Sequence, residues 1–425
     1  MRQINTGKGT ISLISLIAIW SISLVVDLPG LAISPLLSRL DTIFPHTSEL
    51  EIQLLSTLPN FFIFPFILLS GKLSLSKSKV LLVNVGLLLF LLSGIAYFFA
   101  QSMILLIVIS CVLGIGCGLV IPLAAGLLAE YFTGVYRSRQ LGIKSGIANF
   151  SLIIATLVVG WIGNNDWHLP FVVYLVPIIP LLLSPFLIGK RMQLKAPDPK
   201  AAKAQVAEPA PPELTAMQVK SRVWSIIGLY FLITFCGIVL SLFIPFLMQK
   251  YRLPDSDTGI VNAVFYLFIT LPGFFLQYVI AAFRKNTIQI CILLMAVGLF
   301  FIAFFHGLWL YVVAAAIIGI GYGALQPIFY DKAARVSPSS RESSLYLAFV
   351  MSANYLGIAV SPFIINLMET IFHTKSYTFP FLFAGILMCF ILVLSVVLHK
   401  AFIFYTHEEY YLTHVPETDK SKRAV

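Results

Sequence analysis

Charged residues are scarce in this sequence: they make up 11% of its 425 residues, against roughly 25% in a typical soluble domain. Hydrophobic residues reach 59%, and the mean hydropathy is +0.94. So few charges cannot cover a water-exposed surface, which excludes an ordinary soluble fold. We therefore predict an all-α integral membrane protein, because a helix satisfies its own backbone polar groups in lipid.

Cysteine and histidine, which often serve in catalysis or bind metals, do not occur at positions that suggest either role. All five cysteines lie inside apolar runs, and the seven histidines fall in predicted loops, helix ends or the C-terminal tail. The sequence has no phosphate-binding glycine loop with a lysine, no nucleophile elbow and no metal-ligand cluster. We therefore expect neither an enzyme nor an ATP-driven pump, and no cofactor; a proton gradient is the expected energy source.

Long apolar runs dominate the chain, and each can cross a bilayer, which takes about 20 helical residues. Twelve such runs occur, in two sets of six. The first set lies near 11–36, 52–71, 80–100, 103–129, 141–163 and 170–189. The second set lies near 223–249, 258–282, 287–305, 307–330, 344–368 and 377–399. We number the predicted membrane helices 1 to 12 in this order.

A polar segment rich in proline and alanine separates the two sets of helices. This composition is typical of a linker between domains. We expect a six-helix bundle at 1–190, a cytoplasmic linker at 191–222, a second six-helix bundle at 223–400 and a cytoplasmic tail at 401–425.

The distribution of lysine and arginine predicts the orientation, since these residues concentrate in cytoplasmic segments. With the N-terminus inside, 23 of the 28 basic residues fall on the cytoplasmic side. We expect both termini in the cytoplasm and a multi-pass monomer in the cytoplasmic (inner) membrane. The net charge of +10 is then a topology signal and indicates no nucleic-acid partner.

A glycine-rich stretch of helix 4 is repeated in helix 10. It reads G-I-G-C-G-L-V-I-P at Gly114–Pro122 and returns as G-I-G-Y-G-A-L-Q-P at Gly319–Pro327, 205 residues later. The G-x-x-x-G pair in each copy lets a neighbouring membrane helix approach closely, and the proline bends its helix. Offsets of 205 and 207 residues also pair Asn149 with Asn354 and Pro65 with Pro272. We infer two related halves.

Twelve helices in two repeated sets of six resemble the major facilitator superfamily of secondary transporters. The loop Gly71–Lys79 resembles the family signature G-x-L-x-D-R-x-G-R/K in its glycine, its leucine and its final base, with Leu75 and Ser76 in place of Asp and Arg. Arg137–Gly142 is similar to the family's R-G-x-A-L-G, whereas Ser110 stands where the helix-4 signature has arginine. The resemblance implies two pseudo-symmetric six-helix bundles and is nearest to proton-coupled exporters.

Asp27 is the main candidate for chemistry, because an ionisable residue inside a membrane span is costly and usually functional. It lies about 24 Å along helix 1 from the cytoplasmic edge. The segment from Asp27 to Pro35 is similar to the acid followed by A-L-P in helix 1 of many proton-coupled exporters. We expect Asp27 to couple protons or contact a cation; the alternative is a structural aspartate bonded to a neighbouring helix.

Lys144 and Glu130 are further charged candidates. Lys144 is predicted about 5 Å inside helix 5, which leaves roughly 20 Å between it and Asp27 along the membrane normal. We therefore expect Lys144 to reach the interface or to pair with Glu130 at the end of helix 4. The alternatives are contact with an anionic substrate and a role for both residues in a cytoplasmic gate.

Uncharged polar residues at mid-depth are candidates for a substrate cavity between the halves, where the family binds its substrates. An equally weighted alternative is hydrogen bonding that holds helices together. The candidates are Asn60, Asn149, Thr234, Tyr266, Asn354 and Tyr355.

These expectations combine into a functional hypothesis. A cavity with one acid, few fixed charges and many aromatic residues suits a small amphipathic organic molecule better than a sugar, which needs many paired polar groups. We expect proton-coupled export by alternating access, with Asp27 as the protonation site. The alternatives are uptake or exchange of a bile-salt-like organic anion or a lipid-like substrate, and a receptor or scaffold without transport.

Overall fold

The computed structural model describes residues 3–6, 9–73, 78–132, 134–163, 166–187, 215–336 and 340–406. Most of the predicted linker (191–214), most of the predicted tail (407–425) and residues 74–77 of the signature loop lie outside them. Within the described residues, eleven helices are long and apolar enough to cross a membrane, and Leu13–Val25 adds a shorter apolar helix. The predicted twelve-helix membrane architecture is thereby confirmed.

The start of helix 1 and the end of helix 12 lie on the same side of the helix assembly, which we call the terminal face; the other side is the opposite face. Helix 1 is broken into Leu13–Ile22, Ser23–Val25, Ser34–Leu36 and Leu37–Ile43, and helix 6 into Leu169–Leu175, Ile178–Leu183 and Ser184–Leu187. The other helices are Glu49–Leu73 (helix 2), Lys79–Tyr97 (helix 3), Met103–Tyr131 (helix 4), Gly134–Ile162 (helix 5), Ala216–Lys250 (helix 7), Asp255–Phe274 (helix 8), Thr287–Phe304 (helix 9), Leu308–Val336 (helix 10), Ser340–Ile371 (helix 11) and Phe379–Val397 (helix 12). Leu276–Phe283 and Arg284–Asn286 join helices 8 and 9.

Several helices begin earlier than their apolar runs. Helix 5 begins at Gly134 and helix 7 at Ala216, each seven residues before the run that predicted it. Helix 7 starts with a capping box, in which Thr215 and Gln218 exchange hydrogen bonds, so polar residues form its first turns. An apolar run marks the part of a helix inside lipid, and the helix itself extends further into the polar layer.

The repeated glycines bring backbones together in the same way in both halves. A Cβ atom added at Gly114 would overlap the carbonyl oxygen of Pro59 in helix 2. One added at Gly323 would overlap the carbonyl oxygen of Ile269 in helix 8. The close packing predicted from the G-x-x-x-G pairs is therefore present between helices 4 and 2 and between helices 10 and 8.

Two short segments at the terminal face were not foreseen. Strands β1 (Gln3–Asn5) and β2 (Thr10–Ser12) form an antiparallel hairpin before helix 1. After helix 12, Lys332 of helix 10 donates hydrogen bonds to the carbonyl oxygens of Phe402 and Tyr405. The beginning of the predicted polar tail is thus packed against the second bundle.

Hydrogen bonds join the halves in the part of the membrane nearer the opposite face. Ser34 of helix 1 bonds to Ser241 of helix 7 and accepts from Asn262 of helix 8. Closer to that face, Ser38 donates to the Asp255 carboxylate at 3.1 Å. Helix 1 is therefore held against helices 7 and 8 on the side of the cavity away from the termini.

Candidate functional site

A cavity lies between the two halves at mid-depth. Its empty space, with the mouth included, measures about 560 Å³. Helices 1, 2 and 5 line it from the first half, and helices 7, 8, 10 and 11 line it from the second. Among the predicted site residues, those that line it are Asp27, Asn60, Asn149, Tyr266, Asn354 and Tyr355.

The break in helix 1 places Asp27 at the cavity wall. The helix stops at Val25, and Pro29 follows two residues after Asp27. Gly30 has a φ of +76°, a conformation that glycine adopts without strain, and a Cβ atom there would overlap the carbonyl oxygen of Ser56. The chain therefore passes close to helix 2 in a non-helical path, and Asp27 lies in this segment and lines the cavity.

Neighbouring helices satisfy the backbone carbonyl groups that this break releases. Ser151 of helix 5 donates to the carbonyl oxygen of Leu24 at 2.7 Å. The Cys117 thiol of helix 4 lies 3.6 and 3.5 Å from the carbonyl oxygens of Val25 and Val26. A broken membrane helix persists when such partners are present, so Cys117 and Ser151 support the shape of the site.

The Asp27 carboxylate itself has no partner among the described residues: no group there donates a hydrogen bond to it or forms an ion pair within 4 Å. The side chain is partly exposed to the cavity. Its charge acts across the cavity on the hydroxyl groups of Tyr266, Tyr322 and Tyr355. A carboxylate left without donors in a low-dielectric site favours either a proton or a bound cation.

Lys144 lies elsewhere than the sequence predicted. Its side chain is only 9% exposed, and its charge acts on Asp27 and on Cys117. The predicted separation of roughly 20 Å was too large, because the two side chains lie close enough for their charges to act on each other. Lys144 therefore does not reach the interface, and it forms no ion pair with Asp27 within 4 Å.

The predicted pairing of Lys144 with Glu130 is also wrong. Glu130, at the end of helix 4, pairs with Lys79 at the start of helix 3, with 2.6 Å between Nζ and Oε2. Both side chains are substantially exposed. Glu130 thus belongs to an ion pair at the terminal face and lies outside the cavity.

Asn354 is the centre of a hydrogen-bond cluster in the second half. Its Oδ1 atom lies 2.8 Å from the Tyr322 hydroxyl, 3.1 Å from Thr234 Oγ1 and 3.3 Å from the Tyr230 hydroxyl. Thr234 is 1% exposed and stands behind Asn354 without lining the cavity. Thr234 thus forms a hydrogen bond between helices 7 and 11, as in the alternative role given for these polar residues. The same bond fixes Asn354, which lines the cavity.

The repeat relates this cluster to the surroundings of Asp27. The offsets of 207 and 205 residues connect Asp27 with Thr234, Cys117 with Tyr322, and Asn149 with Asn354. The second half has a neutral, mutually bonded trio at these positions, whereas in the described part of the first half Asp27 and Asn149 have no hydrogen-bond partner. The two halves therefore share a scaffold and differ in the chemistry that they present.

Comparison with known proteins agrees with this architecture. A family model described as the Major Facilitator Superfamily matches residues 11–254 and 226–409. The chain belongs to the major facilitator superfamily. This superfamily consists of membrane transporters and not of enzymes, and its members generally need no cofactor.

Solved structures of this superfamily share the fold at low sequence identity. A mutant of the peptide transporter POT is 13% identical with a TM-score of 0.68, over 91% of this chain and 93% of that chain. A D-xylose-proton symporter is 13% identical with a TM-score of 0.67, over 91% of this chain and 97% of that chain. The search of curated proteins gave no match.

Sequence reasoning missed several polar residues of this superfamily fold. Ser241 bonds to the cavity residue Tyr266 at 2.7 Å and to Ser34 at 3.2 Å. The two serines are 207 residues apart, so the repeat offset was a signal that could have found them. Tyr322 and Gln326 also line the cavity, and both lie within the repeated glycine stretch that was read only as a packing motif.

The remaining predicted cavity residues differ in how firmly they are held. Asn60 is 2% exposed, and its Nδ2 donates to the carbonyl oxygen of Ser56 at 3.0 Å. Tyr266 is 3% exposed and is fixed by its bond to Ser241. Asn149 and Tyr355 line the cavity with no side-chain hydrogen bond among the described residues. The cavity thus has both rigid and adaptable polar groups.

Proposed function

We propose that this superfamily member is a proton-coupled exporter of small amphipathic organic cations that works by alternating access. The observation that carries the proposal is the Asp27 carboxylate, which faces the cavity without any hydrogen-bond donor or ion pair among the described residues. A proton or a cationic substrate can neutralise it, and the two compete for the same group. That competition couples the movement of one to the movement of the other.

The cavity chemistry supports a cationic cargo of modest polarity. Around Asp27, the lining includes Leu152, Ile238, Phe265 and Ile269, which provide an apolar environment. Amphipathic ligands are bound by such apolar walls with few fixed polar groups. The similarity of the segment from Asp27 to Pro35 to helix 1 of exporters supports outward transport, and the solved D-xylose-proton symporter supports a proton as the coupling ion.

The charge distribution supports the orientation that export requires. Lysine and arginine concentrate on the terminal side, which supports a cytoplasmic terminal face; in that orientation the Ser34–Ser241 contact would close the cavity toward the outside. We propose the cytoplasmic membrane as its location. The two bundles would then rock about the cavity, as midplane sites between repeats allow.

The test uses purified protein in liposomes and the permanent cation tetraphenylphosphonium, whose charge does not vary with pH. An imposed pH gradient should make the probe accumulate on the acidic side, because antiport moves it against the proton flow. Asp27→Asn should lose this dependence on the gradient while retaining slow exchange of the probe. Accumulation on the alkaline side would indicate symport, and gradient dependence in Asp27→Asn would contradict the assignment of Asp27.

Uptake of an organic anion is the second candidate, and one observation favours it. Lys144 is buried close to Asp27 without an ion pair within 4 Å among the described residues, so its charge also reaches the cavity region. In that case an anionic probe such as taurocholate should be transported, and Lys144→Ala should reduce its transport more than Asp27→Asn does. The opposite ranking with tetraphenylphosphonium supports cation export.

A further inference from the structure

The amide group of Asn354 has a fixed direction. Three hydroxyl groups, those of Tyr322, Thr234 and Tyr230, lie within 3.3 Å of its Oδ1 atom. An amide nitrogen carries only two protons and could serve at most two of these hydroxyls, whereas a carbonyl oxygen accepts from several donors. The oxygen therefore faces the hydroxyl cluster, and the NH₂ group points away from it.

Further hydrogen bonds hold this cluster of hydroxyl groups in place. The Tyr230 hydroxyl lies 3.2 Å from the Tyr330 hydroxyl, and Gln326 Nε2 donates to Tyr330 at 3.3 Å. A turned amide could donate to at most two of the three hydroxyl groups, so the third would lose its bond to Asn354. Asn354 thus presents two hydrogen-bond donors to the cavity that it lines, and no described residue accepts from them.

The other two fixed amides of the cavity are oriented in the opposite sense. Asn60 uses its Nδ2 to bond Ser56, and Gln326 uses its Nε2 to bond Tyr330, so their carbonyl oxygens remain for the cavity. Asp27 adds a third accepting group. Among the fixed amides lining the cavity, Asn354 of the second half is the donor, whereas Asp27 and Asn60 of the first half are acceptors.

We propose that Asn354 is a specificity-determining residue that selects cations carrying a hydrogen-bond acceptor, such as the oxygen of an ester, amide or ether. This inference rests on the proposed function, because the cationic group is taken to lie at Asp27. The substrate class is then an amphipathic amine that also carries an acceptor oxygen. A site built to bond a polar group discriminates strongly against an analogue that lacks it.

The test compares two probes on the purified full chain in detergent: procaine, an amino ester, and an analogue of equal length in which methylene groups replace the ester. Wild type should bind procaine at least about tenfold more tightly, measured by calorimetry. Asn354→Asp keeps an acceptor for the three hydroxyls and turns the cavity-facing donor into an acceptor. This variant should lose the preference for procaine or reverse it.

Asn149→Asp is the matched control, since Asn149 is the repeat counterpart of Asn354 and has no fixed direction. It introduces the same charge, so it should change the affinity for both probes by a similar factor and leave their ratio intact. A second variant without added charge, Tyr322→Phe combined with Thr234→Val, removes two of the three donors to Asn354. The amide can then turn, and the ratio should fall toward one.

The outcomes separate this inference from the proposed function. Equal affinity of wild type for the two probes, or an unchanged ratio in Asn354→Asp, overturns the role of Asn354 alone. Weaker binding of both probes by Asp27→Asn, by a similar factor, would at the same time uphold the cation site. If wild type binds neither probe, the cation site is wrong, and the selection by Asn354 is wrong with it.

Discussion

Ser34 and Ser241 are repeat-related residues of helices 1 and 7, and their hydroxyl oxygens lie 3.2 Å apart. Two equivalent residues of related halves can meet only on the pseudo-two-fold axis that relates the halves. The pair therefore marks that axis on the opposite-face side of the cavity. Tyr266, which lines the cavity, bonds to Ser241 at 2.7 Å. A hydrogen bond therefore joins the Ser34–Ser241 contact to a residue of the cavity.

Cross-linking this pair should stop the transport cycle. In Ser34→Cys/Ser241→Cys the two sulfur atoms are within reach of a disulfide, which would hold helices 1 and 7 together. Oxidation should reduce transport of tetraphenylphosphonium at least about tenfold, and a reductant should restore it. Each single cysteine variant is the control and should be insensitive to oxidation. Full activity of the cross-linked protein would show that helices 1 and 7 do not separate during transport.

The repeated glycines predict a local difference in stability. Gly114→Ala adds a methyl group against the carbonyl oxygen of Pro59, and such overpacking costs about 1–3 kcal/mol. Gly126→Ala, in the same helix, meets no atom within 4 Å and should be as stable as wild type or slightly more stable. Thermal unfolding in detergent measures both. Equal melting temperatures for the two variants would contradict close packing of helices 4 and 2.

The Lys79–Glu130 ion pair should contribute little to stability. Its side chains are 33% and 49% exposed, and exposed pairs are worth less than about 1 kcal/mol. Lys79→Ala should therefore lower the unfolding free energy by no more than this amount, and high salt should remove the difference. Transport should continue at a similar rate. A large loss of transport without a loss of stability would instead support a gate at this position.

Lys144 should weaken the binding of cations, because its positive charge acts at Asp27. Lys144→Gln removes that charge and should tighten tetraphenylphosphonium binding by about tenfold, which corresponds to about 1.4 kcal/mol. Lys144→Arg keeps the charge and should behave like wild type. Calorimetric titration of the three proteins measures the effect. Unchanged affinity in Lys144→Gln would place the lysine too far from the bound cation to influence it.

The sequence predicted the twelve helices, the repeat and the membrane class, since these depend on composition and on spacing along the chain. It also named six residues that line one cavity. It misplaced Lys144 because the position of helix 5 relative to helix 1 depends on contacts between the two helices, which spacing along one helix does not give. The sequence did not predict a role for Ser34 and Ser241. The role of a serine in an apolar helix depends on its hydrogen-bond partner on another helix, which the sequence does not give.

The sequence also could not predict the orientation of the amide groups. Asn149 and Asn354 are repeat counterparts, and both were predicted to line the cavity. Only the three surrounding hydroxyl groups distinguish Asn354 as a fixed donor, and those groups come from helices 7 and 10. Side-chain direction depends on such contacts between distant segments, which spacing along the chain does not give.

Proton release on substrate binding tests the central claim most directly, that Asp27 holds the proton exchanged for the cation. Tetraphenylphosphonium is added to wild type in weakly buffered detergent solution, and the released protons are counted with a pH indicator. We expect about one proton per bound cation from wild type at a pH where Asp27 is protonated, and none from Asp27→Asn. The same proton release from both proteins, at equal probe occupancy, would contradict the account.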